Sequence, residues 1–203
     1  MNSADDMRSR VSREAATLLY FGAEKEYKQA KLKAAKTFGA HFLPTNLEVA
    51  LELDKIAEEK EGTIRKERLI SMRQEALKIM KLIDAYCPLL IGSVWRGTIR
   101  IGSDIDIAAY ADLPEQILEL LKNSNVKIQR SCWMQVNKKG ITHISYHIYA
   151  ETETKISLEI VVRNPDEAGK KRKCETFGDE IKGLKTAELE KLLKETATRQ
   201  FLP

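Results

Sequence analysis

Residues 92–110, GSVWRGTIRIGSDIDIAAY, hold the side chains best placed to do chemistry. Asp104 and Asp106 are separated by one isoleucine. In a strand, residues two apart point to the same side. The aspartates therefore project together, while Ile105 and Ile107 turn into a core. Two adjacent carboxylates repel each other unless a cation shares them. Oxygen donors of this kind suit magnesium, which takes a few carboxylates together with phosphate oxygens. Taken alone, an Asp-x-Asp pair also fits a solvated strand end, so its meaning depends on its neighbours. Upstream, the apolar Leu89-Leu90-Ile91 runs into Gly92-Ser93. Glycine at a strand-to-helix turn lets backbone approach a ligand, and free N–H groups beside a serine hydroxyl suit phosphate. Strand, Gly-Ser, ten residues and then Asp-apolar-Asp would set a phosphate cradle beside a metal-binding pair.

Several elements must position these groups. Residues 11–38 carry apolar and small residues at helical spacing and end near Gly39. A second helix opens after Pro44 with Thr45 as N-cap and Glu48 completing a capping box, and Gly62 is its expected stop. A third helix is expected over residues 64–86, with Leu69, Met72, Ala76, Ile79, Met80 and Ile83 on one face. Strands are expected over 89–92, 104–110, 126–136, 141–150 and 155–163, where short β-branched and aromatic runs lie between turn signals. LPEQILELLKNS reads as a helix between the second and third strands, and a last helix runs from Thr186 to about Arg199. The sequence reads as an N-terminal helical region (1–62), a core (63–165), and a basic loop with a C-terminal helix (166–203). That order gives an α+β fold with a small mixed sheet and packed helices.

The 203 residues are 43% hydrophobic and 32% charged with a net charge of +4, which describes a globular chain and permits contact with nucleic acid or nucleotide without arguing for it. No apolar run is long enough to span a membrane. The N-terminus lacks the apolar segment of a secretory signal. Cys87, Cys132 and Cys174 are an odd number without CxxC spacing, which argues against a disulfide framework or a zinc ribbon. A cytoplasmic location is the expectation.

The Gly-Ser and Asp-x-Asp pattern resembles the signature of the DNA polymerase β nucleotidyltransferase superfamily. Gly92-Ser93-Val94-Trp95-Arg96-Gly97-Thr98 is similar to the GSxxxGT form in archaeal CCA-adding enzymes and oligoadenylate synthetases. More widely, EYKQAKLKAAKTFG, LPTNLEVALELD and CETFGDEIKGL look like an archaeal group of predicted nucleotidyltransferases. The resemblance implies a nucleotidyltransferase core and transfer of a nucleoside monophosphate from an NTP to an acceptor hydroxyl, with pyrophosphate released. It implies two magnesium ions, with manganese as a substitute, held by Asp104, Asp106 and a third carboxylate on a later strand. Glu159 in KISLEIVVR is the best candidate, because alternation sets it opposite Leu158 and Ile160. Glu151 and Glu153 are alternatives nearer a hairpin turn. Gly92, Ser93, Arg96, Thr98, Arg100 and Ser103 fall to nucleotide binding, although Arg96 and Arg100 read equally as surface arginines.

The acceptor is open among RNA, protein and a small molecule, and oligomeric state is not specified. Only about 40 residues follow the core, too few for the larger RNA-grasping domains of a full CCA-adding enzyme. An alternative keeps the fold without catalysis, as a nucleotide- or RNA-binding module or an antitoxin-like partner. His143 and His147 form an HxxxH, but four strand residues hold the rings roughly 13 Å apart, too far for one metal. They read as packing or surface residues. Lys170, Lys171, Arg172 and Lys173 read as a solvated basic loop that would touch the backbone of an RNA acceptor. Trp95 and Trp133 read as packing residues, with base stacking as the alternative.

Overall fold

A computed structural model describes residues 3–138 and 141–203. The chain divides into two compact units, one of Met1–Arg65, Lys173–Glu180 and Leu202–Pro203, the other of Lys66–Arg172 and Ile181–Phe201.

The first unit holds α1 (Ser3–Tyr20), α2 (Tyr27–Phe38) and the start of α3 (Asn46–Leu82). Its core is built on small side chains: Ala15, Ala16, Ala30, Ala34 and Ala35, with Val11, Leu19, Val49 and Ile56 filling the rest. The expected single helix over 11–38 is two helices. Gly22 adopts a positive φ of 71°, and the chain turns there because only glycine takes that conformation at little cost. The capping box at the start of α3 forms as expected. Thr45 N–H donates to Glu48 Oε2 at 2.6 Å, and Glu48 N–H donates to Thr45 Oγ1 at 3.1 Å. Gly62 interrupts α3 where a stop is expected: it leaves helical geometry (φ 53°, ψ −129°) and divides the span into two helical segments.

The second unit is a six-stranded sheet covered by helices. The strands are β1 (Leu89–Ile91), β2 (Ile105–Tyr110), β3 (Lys127–Lys138), β4 (Ile141–Glu151), β5 (Ser157–Arg163) and β6 (Leu184–Lys185). Their order is β3-β4-β5-β2-β1-β6. Among the described residues, only β2 and β5 pair in parallel; the other pairs are antiparallel. Between strands lie α4 (Gly92–Arg96) and α5 (Pro114–Lys122), and α6 (Thr186–Glu195) follows β6. The result is the α+β architecture expected, with a mixed sheet and packed helices.

Alternation divides this sheet into two faces. Ile105, Ile107 and Ala109 of β2, Leu158, Ile160 and Val162 of β5, and Tyr146, Ile148 and Ala150 of β4 enter one core. That core also contains Leu69, Met72, Ala76, Ile79, Met80 and Ile83 of α3, and Ile117, Leu118 and Leu121 of α5. Residues of opposite parity on the same strands, Asp106, Glu159 and His147 among them, rise from the other face. At about 25 cal/mol per Å² of apolar surface, each large buried side chain contributes about 2 kcal/mol to fixing strand register. Slipping β2 by one residue would send Asp106 into that apolar layer.

Among the described residues, no helix is long and apolar enough to cross a membrane.

Candidate active site

Asp106 lies at the centre of the open sheet face. Its Cα is paired with Ile91 on β1 and with Glu159 on β5. Asp104 stands just before β2, and strand alternation points it to the same side. Ligand oxygens of Asp104, Asp106 and Glu159 all lie within 4.8 Å of one another. The structure thus brings together the two aspartates and the acid chosen from a strand fifty residues later. Glu151 lies at the end of β4 and is held in an ion pair by Lys155 (3.0 Å). Glu153 is exposed beyond β4.

The electrostatics follow from this crowding. Burial, then Asp104, then Glu159 push the Asp106 carboxyl up to about 7. Asp104 is raised as well, by burial first and by Glu159, with Arg100 acting in the opposite direction. Carboxylates held this close repel one another in the absence of a cation. The donor set is all oxygen, as magnesium or manganese prefers.

Gly92 is required by geometry. Its φ is 70°, and a Cβ at this position would lie 1.9 Å from Asp106 Oδ2. The turn backbone and the Asp106 carboxylate are therefore in direct apposition. Gly97 caps α4 with φ 76°, and a Cβ there would meet the Arg199 carbonyl oxygen at 3.1 Å. Thr98 N–H donates to the Ser93 carbonyl at 3.0 Å and closes the loop. The glycines of the GSxxxGT run thus have separate steric reasons: one for the carboxylate, the other for the tail of the chain.

The remaining residues assigned to nucleotide binding divide by placement. Ser103 accepts from Arg100 N–H through its Oγ (3.0 Å) and shapes the turn before Asp104. Arg100 is partly exposed near Asp104. Arg96 is not the surface arginine of the alternative reading: it is 3% exposed, its Nη1 donates to the Phe201 carbonyl at 3.0 Å, and its guanidinium covers the Trp95 ring. It anchors the C-terminal segment. Trp95 is likewise buried, stacked on Phe201, whereas Trp133 is exposed.

Two residues outside the sequence-derived set support the site. Arg73 of α3, fully buried, donates to the carbonyls of Val94, Trp95, Ala197 and Arg199 and so fixes the end of α4. Burial lowers its pKa to about 10, well above neutrality, so it remains charged. His147 of β4, read from sequence as packing or surface, lies on the acidic face with Nδ1 2.6 Å from Glu159 Oε1. Its Nε2 is 2.8 Å from Ser145 Oγ. His143 lies farther along β4 and is exposed. The only sequence signal for His147 was its parity on a strand beside Glu159.

No protein-family model matches the sequence, and no curated protein matches it. Several solved structures are similar in part, among them the following three. One is a cytoplasmic RNA terminal U-transferase (16% identity, TM-score 0.34, covering 55% of this chain and 34% of that one). Another is a GLD-2/RNP-8 complex (14%, 0.31, 55% and 39%). The third is JHP933 from Helicobacter pylori (14%, 0.29, 59% and 51%). The matches therefore span about a third to a half of those chains, and similarity this slight assigns no family.

Proposed function

We propose that the chain is a divalent-metal-dependent nucleotidyltransferase of the polymerase β-like superfamily, with its catalytic core in residues 63–165. The observation that carries the reading is the apposition of Gly92 to a cluster of three carboxylates within 4.8 Å. Asp104, Asp106 and Glu159 would hold magnesium, which supplies charge neutralisation for the triphosphate and a more acidic acceptor hydroxyl.

The chain's own groups have separable tasks. Gly92 leaves room for backbone N–H groups to reach phosphate oxygens, and Ser93 adds a hydroxyl. Arg100, beside Asp104, offsets charge that builds on the phosphates. The acceptor oxygen bonds to the α-phosphorus as the bond to the bridging oxygen breaks. Pyrophosphate departs, and the hydroxyl proton passes to a carboxylate, with Glu159 the candidate. Isoleucines at 105 and 107 hold the aspartates by anchoring the strand beneath them.

The test is incubation with α-labelled NTPs, magnesium, and total RNA, protein extract or small-molecule pools as acceptors. Label is expected in one acceptor pool and is expected to vanish with Asp104→Ala. Tight NTP binding without transfer to any pool would replace the enzyme reading with a binding module.

A further inference from the structure

The geometry points to His147 as the positioning residue of Glu159: its Nδ1–H holds one carboxylate oxygen so that the other can serve the metal site. This rests on the nucleotidyltransferase reading above and names a residue that reading did not contain.

The need for such a residue follows from electrostatics. Glu159 lies in register with Asp106 on the adjacent strand, and the two acids repel. A glutamate has three side-chain rotors, so an unheld carboxylate would swing toward solvent and leave the cluster. His147 opposes this. Its Cα pairs with Val161 and that of Tyr149 pairs with Glu159, so the ring reaches Glu159 diagonally across the β4–β5 ladder. The contact is 2.6 Å, in the range of a short charge-assisted bond. An ionised carboxylate only accepts, so Nδ1 is the donor. The ring is itself held at the far end, where Ser145 Oγ lies 2.8 Å from Nε2. It also stacks against Tyr149 with centroids 6.1 Å apart. Ser145, His147 and Glu159 thus form a line of three side chains from two strands, ending at the acids.

Donors that hold a metal-ligating side chain from behind are typically worth tenfold to a hundredfold in metal affinity. The imidazole nitrogens separate this role from simple packing. An asparagine at 147 returns an N–H near the position of Nδ1, whereas glutamine returns one near Nε2.

The experiment measures Mn²⁺ binding to the full chain by calorimetry or electron paramagnetic resonance, with thermal unfolding of each variant alongside. We expect His147→Ala to weaken binding by about tenfold or more, His147→Asn to restore most of it, and His147→Gln to leave it weak. Unchanged affinity in His147→Ala, or rescue by glutamine rather than asparagine, would overturn the assignment. If His147→Ala does not fold, the asparagine and glutamine pair decides it. Asp106→Ala separates the two levels: wild-type protein that binds no Mn²⁺, or binds it equally well without Asp106, overturns the metal-site reading itself.

Discussion

Replacing Asp106 with asparagine should stabilise the metal-free protein while destroying its response to magnesium. Asparagine keeps the shape of the side chain against Gly92 but removes the charge. In the folded chain the Asp106 carboxyl is pushed from 3.8 to about 7, by burial first and then by Asp104 and Glu159. A carboxyl with a raised folded-state pKa binds its proton more tightly when folded. The wild type therefore loses stability as pH rises from about 4 to about 7, and above that range the whole penalty is present. At about 1.36 kcal/mol per pKa unit, the shift corresponds to about 4 kcal/mol. Relaxation of a crowded acidic cluster would reduce this to about 2 kcal/mol, worth roughly 4–8 °C in Tm for a chain of this size. The assay is thermal unfolding of both proteins near pH 8 and near pH 4, with and without magnesium. Asp106→Asn should melt higher near pH 8, and the gain should vanish near pH 4. Only the wild type should gain from magnesium, by about 1.4 kcal/mol at ten times its Kd. An unchanged or lower Tm near pH 8, together with an intact magnesium response, would refute both the proposed strain and the metal site.

Two further perturbations probe the scaffold. Gly92→Ala should abolish transfer and metal binding together, because its Cβ would lie 1.9 Å from Asp106 Oδ2 and must displace that carboxylate. Its positive φ adds about 1 kcal/mol of strain, and denaturant unfolding paired with Mn²⁺ titration would measure both effects. Arg73→Met should cost at least about 3 kcal/mol, since four backbone carbonyls lose a buried donor. Its transfer activity should fall too, as the end of α4 loosens, and urea midpoints with activity at low temperature would separate the two losses.

The acidic pair was legible in the sequence because strand alternation is local: Asp104 and Asp106 share a side wherever the strand lies. Glu159 was legible by the same parity, but its pairing opposite Asp106 depends on the register of β5 against β2, which is set by the apolar layer beneath both strands. The contact of His147 with Glu159 was not legible from its spacing to His143 along one strand. Its partner lies across the ladder, and no spacing within β4 encodes that. The burial of Arg96 was not legible for a related reason. An arginine in a glycine-rich loop suggests phosphate, and its burial depends on a segment more than a hundred residues away. Arg73 gave no signal at all, because an arginine on a helix of many charges is ordinary until four carbonyls converge on it. β6 is two residues long, too short for alternation to declare itself. The break between α1 and α2 rested on Gly22 alone within an otherwise continuous helical pattern.

The segment that ends at Phe201 has a consequence for how the site is made. Phe201 N–H donates to the Arg96 carbonyl at 2.9 Å, its own carbonyl accepts from Arg96, and its ring stacks on Trp95. Gln200 Nε2 reaches the Gly97 carbonyl at 3.2 Å. During synthesis the Gly92-Ser93 loop leaves the ribosome long before these partners exist. The sheet has the means to form first, with its acids already exposed, while the loop beside them waits for residues 199–201 to lock it. The loop that faces the acids is thereby tied to a segment more than a hundred residues later, so a chain with a formed sheet still lacks a finished loop until residues 199–201 have been made.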